Sequence, residues 1–155
     1  MRVLCAVLFF SLFFVTPAQA QSSGGAWEFG LGPEVVYRES SSSTHFGGGV
    51  TLARRYDRFA VALEASGTRR QGHNDWRVVG GPRLLVGGDA RSSVFAQVLA
   101  GTLIRQNDPG WAVLPGVGVD VRAGSHAFRF QIDAPIERSQ AQTTTSVRGS
   151  IWFLF

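Results

Sequence analysis

The chain has 155 residues, 45% of them hydrophobic, which is room for one domain and excludes a multidomain enzyme. Its 15 positive side chains, all Arg, stand against 11 acids for a formal charge of +4 and are scattered beside those acids, which sets nucleic-acid binding aside. A lone Cys5 excludes a disulfide framework.

Arg2 precedes an apolar run, 3–15, broken only by Ser11; Thr16, Pro17 and the small-residue pattern Ala18-Gln19-Ala20 follow. This is the layout of a secretory signal peptide cut after Ala20, and the run is shorter than the ~20 residues of a membrane-spanning helix. Residues 1–20 are expected to be removed, taking Cys5 with them. Residues 21–25 then form a short linker and 26–155 a single domain.

From 27 to 38, Trp27, Phe29, Leu31, Pro33, Val35 and Tyr37 alternate with Glu28, Gly30, Gly32, Glu34, Val36 and Arg38, the period of a strand with two unlike faces. The pattern recurs with Phe46, Val50, Leu52 and Tyr56 against His45, Gly47, Gly49, Thr51 and Arg55, then with Phe59, Val61, Leu63 and Ala65 against Arg58, Ala60, Ala62 and Glu64. A fourth strand spans 76–86, with Arg77, Val79, Gly81 and Arg83 on its less apolar face, and a fifth spans 94–104, with Gln97 and Gly101. The sixth sets Trp111, Val113, Val117, Val119 and Val121 against Gly116, Gly118 and Asp120; the seventh sets Phe128, Phe130, Ile132 and Ala134 against Arg129, Gln131 and Asp133. In the last, Val147, Ile151, Phe153 and Phe155 oppose Arg148 and Ser150. Each segment reaches the ~9 to 11 residues of a tilted membrane strand.

Segments 54–57, 87–91 and 122–126 are expected as short turns, and 39–43, 67–74, 106–110 and 138–143 as polar, mostly longer loops. Long loops on one side and short turns on the other are the plan of an outer-membrane barrel. A lipocalin-like soluble barrel, the alternative, turns its apolar face inward around a ligand. The polar face argues for the membrane form, because its many glycines weaken a water-facing strand yet leave room for long side chains in a narrow lumen. It carries Glu28, Glu34, Glu64, Asp120, Asp133 and Glu137 against Arg38, Arg58, Arg77, Arg83, Arg129 and Arg148, expected to form a hydrogen-bonded ion network that plugs the lumen.

With the amino terminus on the periplasmic side, Trp27, Tyr56, Phe59, Phe128, Phe130, Phe153 and Phe155 fall near the inner rim. Tyr37, Phe46, Trp76 and Trp111 fall near the outer rim, so the aromatics form two girdles around an aliphatic band. Phe95 and Trp152 break the pattern by falling on the luminal parity, and Pro33, Pro82 and Pro115 sit inside strands, where bulges or fraying are expected.

The strands 95–101, 116–121, 129–133 and 147–155, in this order and ending on Phe155, carry a resemblance: the chain resembles the small eight-stranded outer-membrane barrels of the OmpA and OmpX type. The resemblance covers nearly all of 26–155. It implies an all-β, eight-stranded antiparallel up-and-down transmembrane barrel in the bacterial outer membrane; that the chain has no cofactor and no catalytic residues is the expectation from its own residues. It also implies that Val147, Ile151, Phe153 and Phe155 match the terminal signal read by the barrel assembly machinery. The remaining expected partners are outer-membrane lipid and lipopolysaccharide, and the expected state is a monomer.

Some barrels of this size modify lipid A, so a lipid A-modifying enzyme is the alternative activity. Ser125-His126 is expected in a periplasmic turn far from an acid; His45, near the outer end of the second strand, is within reach of Glu39 or one of Ser40 to Ser43, but that loop reads as a solvated connector. His45, His73 and His126 lack metal-ligand spacing. The adjacent pair Arg69 and Arg70, in the segment 68–75, is either a binding site for lipopolysaccharide phosphates or an acidic partner, or a soluble loop tip.

Overall fold

The computed structural model describes residues 25–70, 73–89, 91–105, 108–140 and 142–155; the signal segment and linker residues 21–24 lie outside the described residues. The strands are β1 (Ala26–Arg38), β2 (Ser43–Tyr56), β3 (Phe59–Arg70), β4 (His73–Gly88), β5 (Ser92–Ile104), β6 (Gly110–Ala123), β7 (His126–Asp133), β8 (Ile136–Ser139) and β9 (Thr143–Leu154). From β1 to β7 each strand pairs antiparallel with the next in chain order, and β1 pairs with β9 from Gly30↔Leu154 to Arg38↔Ser146, which closes the sheet. β7 and β8 are two halves of one stave, broken at 134–135 and paired on both sides to β6 and β9. The fold is thus an all-β, eight-staved antiparallel up-and-down barrel, as the alternation requires.

Two expectations about its details are narrowed or corrected. Of the bulges or fraying expected at the prolines, the structure shows local loss of pairing and no bulge: the β1–β9 ladder is interrupted after Leu31↔Phe153 and resumes in the same register at Glu34↔Ser150. The β4–β5 ladder likewise skips from Gly80↔Ala100 to Arg83↔Gln97, and the ladder from β6 to the broken stave skips from Val113↔Ile136 to Gly116↔Asp133. Proline has no N–H, so each gap falls on one flank while the other flank stays paired. The one register shift in β4–β5 lies between Leu85 and Gly87, beside a turn.

The connections at the outer end are also shorter than their polar composition implied. β3 runs to Arg70 and β4 starts at His73, with Arg69↔Asn74 and Arg70↔His73 in register, so most of 67–74 is strand. Segment 39–43 is a single 3₁₀ turn, Glu39–Ser41, before β2 begins at Ser43. Polar residues end a membrane strand's apolar band without ending its ladder, which explains the overestimate.

The wall facing outward is apolar around the whole circumference: Leu31, Val61, Leu63, Leu84, Val98, Val117, Ile132 and Ile151 are all exposed. Water-soluble monomers do not carry an apolar surface of this extent, whereas hydrocarbon solvates it. About ten residues at ~3.3 Å each, tilted by roughly 40°, separate the Trp27 and Tyr37 levels, and this gives the ~25 Å of an apolar membrane band. The lipocalin-like alternative is therefore overturned, because it needs the apolar face inside. The lumen holds a small apolar cluster, Ala53, Ala62, Val79, Leu99, Ala112 and Leu114, with Phe95, Leu103 and Trp152 also fully buried, and most of its other described side chains are polar or charged.

Candidate functional site

Every carboxylate on a described strand faces the lumen: Glu28, Glu34, Glu64, Asp75, Asp120, Asp133 and Glu137. Alternation puts them there, and closure of the sheet brings them against arginines from distant staves. At the outer mouth, Arg38 donates to Asp75 at 3.0 Å and to Glu137 at 2.9 Å. Arg105 donates to Glu137 at 2.6 Å and to Asp75 at 3.3 Å. Arg77 links this layer downward, donating to Glu34 at 2.6 Å.

Mid-lumen, the Arg148 guanidinium lies 2.6 Å from Asp133, 2.8 Å from Glu64 and 3.3 Å from Glu34, and all four side chains are fully buried. Gln97 and Gln131 satisfy the remaining acceptor positions on Asp133, at 3.1 and 2.9 Å, and Arg83 donates to Gln97 at 2.9 Å. At the inner end Arg129 grips Asp120 through two bonds of 2.7 and 2.8 Å and reaches Glu28 at 3.0 Å. Arg55 lies 3.6 Å from Glu28 and completes this layer.

The two aromatics that broke the alternation occupy the same column. The Phe95 ring lies 4.7 Å from the Arg83 guanidinium and 5.0 Å from that of Arg129, so it joins the middle and inner layers as a cation–π spacer. Its cross-strand partner is Gly118, where a Cβ would stand 2.4 Å from the ring, so glycine is what admits Phe95 to the lumen. Trp152 is fully buried and donates its indole N–H to Ser150 Oγ at 3.0 Å.

Glu28, Glu34, Arg38, Glu64, Arg77, Arg83, Asp120, Arg129, Asp133, Glu137 and Arg148 are thus brought together, and Arg58 is not. Arg58 is exposed in the two-residue turn after Tyr56, where Asp57 has φ 47°, so β3 starts one residue later than the alternation implied. Asp75 and Arg105 were missed because both lie in segments read as loop or loop border. The parity of Asp75 with Arg77, and of Arg105 with Leu103, was the available signal.

The lipid-facing wall carries arginine without acid. Arg69 faces outward opposite Phe46 at the outer girdle, and Arg138 does so opposite Trp111. The side chain of Arg70 lies outside the described residues. At the inner girdle Arg54 faces outward between Trp27 and Tyr56, 5.4 and 5.3 Å from the ring centres. Phe153 and Phe155 pack edge to face at 4.7 Å, with Phe29 at 6.0 Å from Phe155 and Phe128 at 5.3 Å from Phe153.

His126 opens β7 and lies 5.1 Å from the Phe153 ring, part of the inner aromatic rim. His45 is nearly buried on the luminal face of β2, the strand and face that the alternation implied, where its Nε2 lies 2.9 Å from Ser43 Oγ; it does not face the lipid. Among the described residues no cluster of His, Cys, Asp and Glu is arranged to hold a metal ion. In the turn after β4, Asp89 accepts backbone N–H bonds from Arg91 and Ser92, both 2.7 Å, which hold its carboxyl below the usual carboxylate range.

A closed eight-staved barrel with an apolar exterior and a charged interior is the architecture of the small transmembrane barrels. No family model and no curated protein matches the chain. Its fold is similar to that of Neisserial surface protein A, with TM-score 0.66 and 5% identity over 88% of this chain and 97% of that one. It is also similar to Ail, the attachment invasion locus protein of Yersinia pestis, in complex with the heparin analogue sucrose octasulfate, with TM-score 0.54 and 12% identity over 86% and 100%. A de novo designed transmembrane β-barrel gives 0.53 and 14% over 89% and 100%. The chain has the fold of the small eight-stranded outer-membrane barrels.

Proposed function

We propose that this chain is an integral protein of the bacterial outer membrane, without enzymatic activity, whose lumen is closed and whose work is structural or done at its outer rim. The observation that carries this is the column from Arg38 to Arg129: the buried charges bond one another across the lumen at each level, which leaves no continuous polar wall for ions to follow. The apolar wall, the two aromatic girdles and the outer-membrane barrels among its fold neighbours support the location. Removal of residues 1–20 on the way to the periplasm belongs to the same reading.

With short outer connections, the rim itself is the surface offered to the outside. Arg69 and Arg138 supply cations there for phosphates of lipopolysaccharide or for another anionic partner. Val147, Ile151 and Phe153 on β9, and Phe155 just past its end, stand on the outward face, where assembly machinery reads them before β1 closes the barrel. The test is conductance across a planar bilayer. The closed-lumen reading expects no steady channels from the folded protein, and reproducible ohmic steps refute it.

A further inference from the structure

The arginine at the inner girdle, Arg54, stands outside the luminal ion column. Arg54 stands directly across the ladder from Trp27 and two residues before Tyr56, and both rings flank its guanidinium. Its Nε is buried without a hydrogen-bond partner, and among the described residues it makes no ion pair. The strand arginines whose side chains face the lumen, by contrast, each reach a carboxylate. Arg54 has no such prospect on its own face, because no described strand turns a carboxylate to the lipid. A cation fixed by two rings at the edge of an apolar band is held at the depth of the headgroup phosphates, with its terminal N–H groups free to point out of the hydrocarbon. An isolated guanidinium at that depth is complemented by a phosphodiester, which accepts two parallel N–H bonds.

We propose that Arg54, clamped by Trp27 and Tyr56, binds the phosphodiester of an anionic glycerophospholipid in the leaflet at the end of the barrel that carries the termini. The inference rests on the membrane-barrel reading. The aromatic clamp fixes the guanidinium before lipid arrives, so little side-chain freedom is lost on binding. Arg69 and Arg138 sit at the opposite girdle and do not contribute to this site.

The test uses the full mature barrel carrying Trp76→Phe and Trp111→Phe, so that Trp27 is the lipid-exposed indole and Trp152 a constant luminal background. It is reconstituted in phosphatidylcholine vesicles in which a tenth of the lipid is brominated on its acyl chains, either phosphatidylglycerol or phosphatidylcholine. Both leaflets contain the probe, so the direction of insertion does not matter. Brominated phosphatidylglycerol is expected to occupy the shell around Trp27 about fivefold over its bulk share, equivalent to the ~1 kcal/mol of one arginine at a membrane surface. The excess should vanish in Arg54→Gln and persist in Arg69→Gln. Equal quenching by the two lipids, or an excess that survives Arg54→Gln, overturns the proposal. So does reversal of the excess by millimolar inorganic phosphate, which would make the site one for small anions. Failure to insert into the vesicles, by contrast, refutes the membrane-barrel reading itself.

Discussion

Replacing Arg148 by Met removes the cation shared by Asp133, Glu64 and Glu34, at 2.6, 2.8 and 3.3 Å, and leaves these carboxylates buried around an apolar side chain. Removing one partner of a buried ion pair costs about 3–5 kcal/mol, because the partner left behind has lost both water and counter-ion. Gln97 and Gln131 still donate to Asp133, so the cost should fall inside that range and not above it. With a urea slope near 2 kcal/mol per molar, the unfolding midpoint in vesicles should drop by about 1.5–2.5 M. Adding Asp133→Asn to Arg148→Met removes the one carboxylate left without a cation, since Glu64 keeps Arg83 and Glu34 keeps Arg77, and should restore about half of the loss, which a simple packing defect would not allow. A drop below about 0.5 M, or no recovery in the combined variant, refutes the idea that the column is held together by charge.

Reversing Glu64 to Arg puts a third guanidinium beside Arg148 and Arg83, so folding yield into detergent should fall severely; a normal yield counts against a packed luminal network. Phe95→Leu removes a ring that serves two guanidinium groups and should cost about 2–4 kcal/mol in urea unfolding, and Gly118→Val should be at least as harmful, because the ring then has no room; wild-type midpoints for both would refute the spacer role. Asp89 has its folded pKa depressed, so its support of the turn is present above the ordinary carboxylate range and is lost only as pH falls below it. The protection factors of the Arg91 and Ser92 amides, exchange measured against the intrinsic rate at each pH, should therefore be unchanged from neutral pH down to the usual carboxylate range and should fall in Asp89→Ala at neutral pH.

Alternation made the staves, their faces and the luminal residue types legible, because a period of two in a closed barrel leaves a side chain only two places to point. Partners were not legible. Arg148 meets Glu34 across the closing seam, and that pairing depends on the stagger of the whole barrel, which no local stretch of sequence encodes. The exceptions were legible as exceptions: Phe95 stood out by parity, but its explanation needed Gly118 on the next strand. Polarity misled at the outer end, where Thr68 to Asp75 looked like a loop and the ladder ran on through most of it. The same error hid Asp75 from the ion column.

The most direct test of the central claim is gel mobility of the membrane fraction in SDS, with and without boiling. A closed, ion-filled barrel in the outer membrane should fractionate with that membrane and migrate differently before and after boiling. Recovery in the soluble periplasmic fraction with no shift would mean that the apolar wall does not face lipid, and would contradict the account.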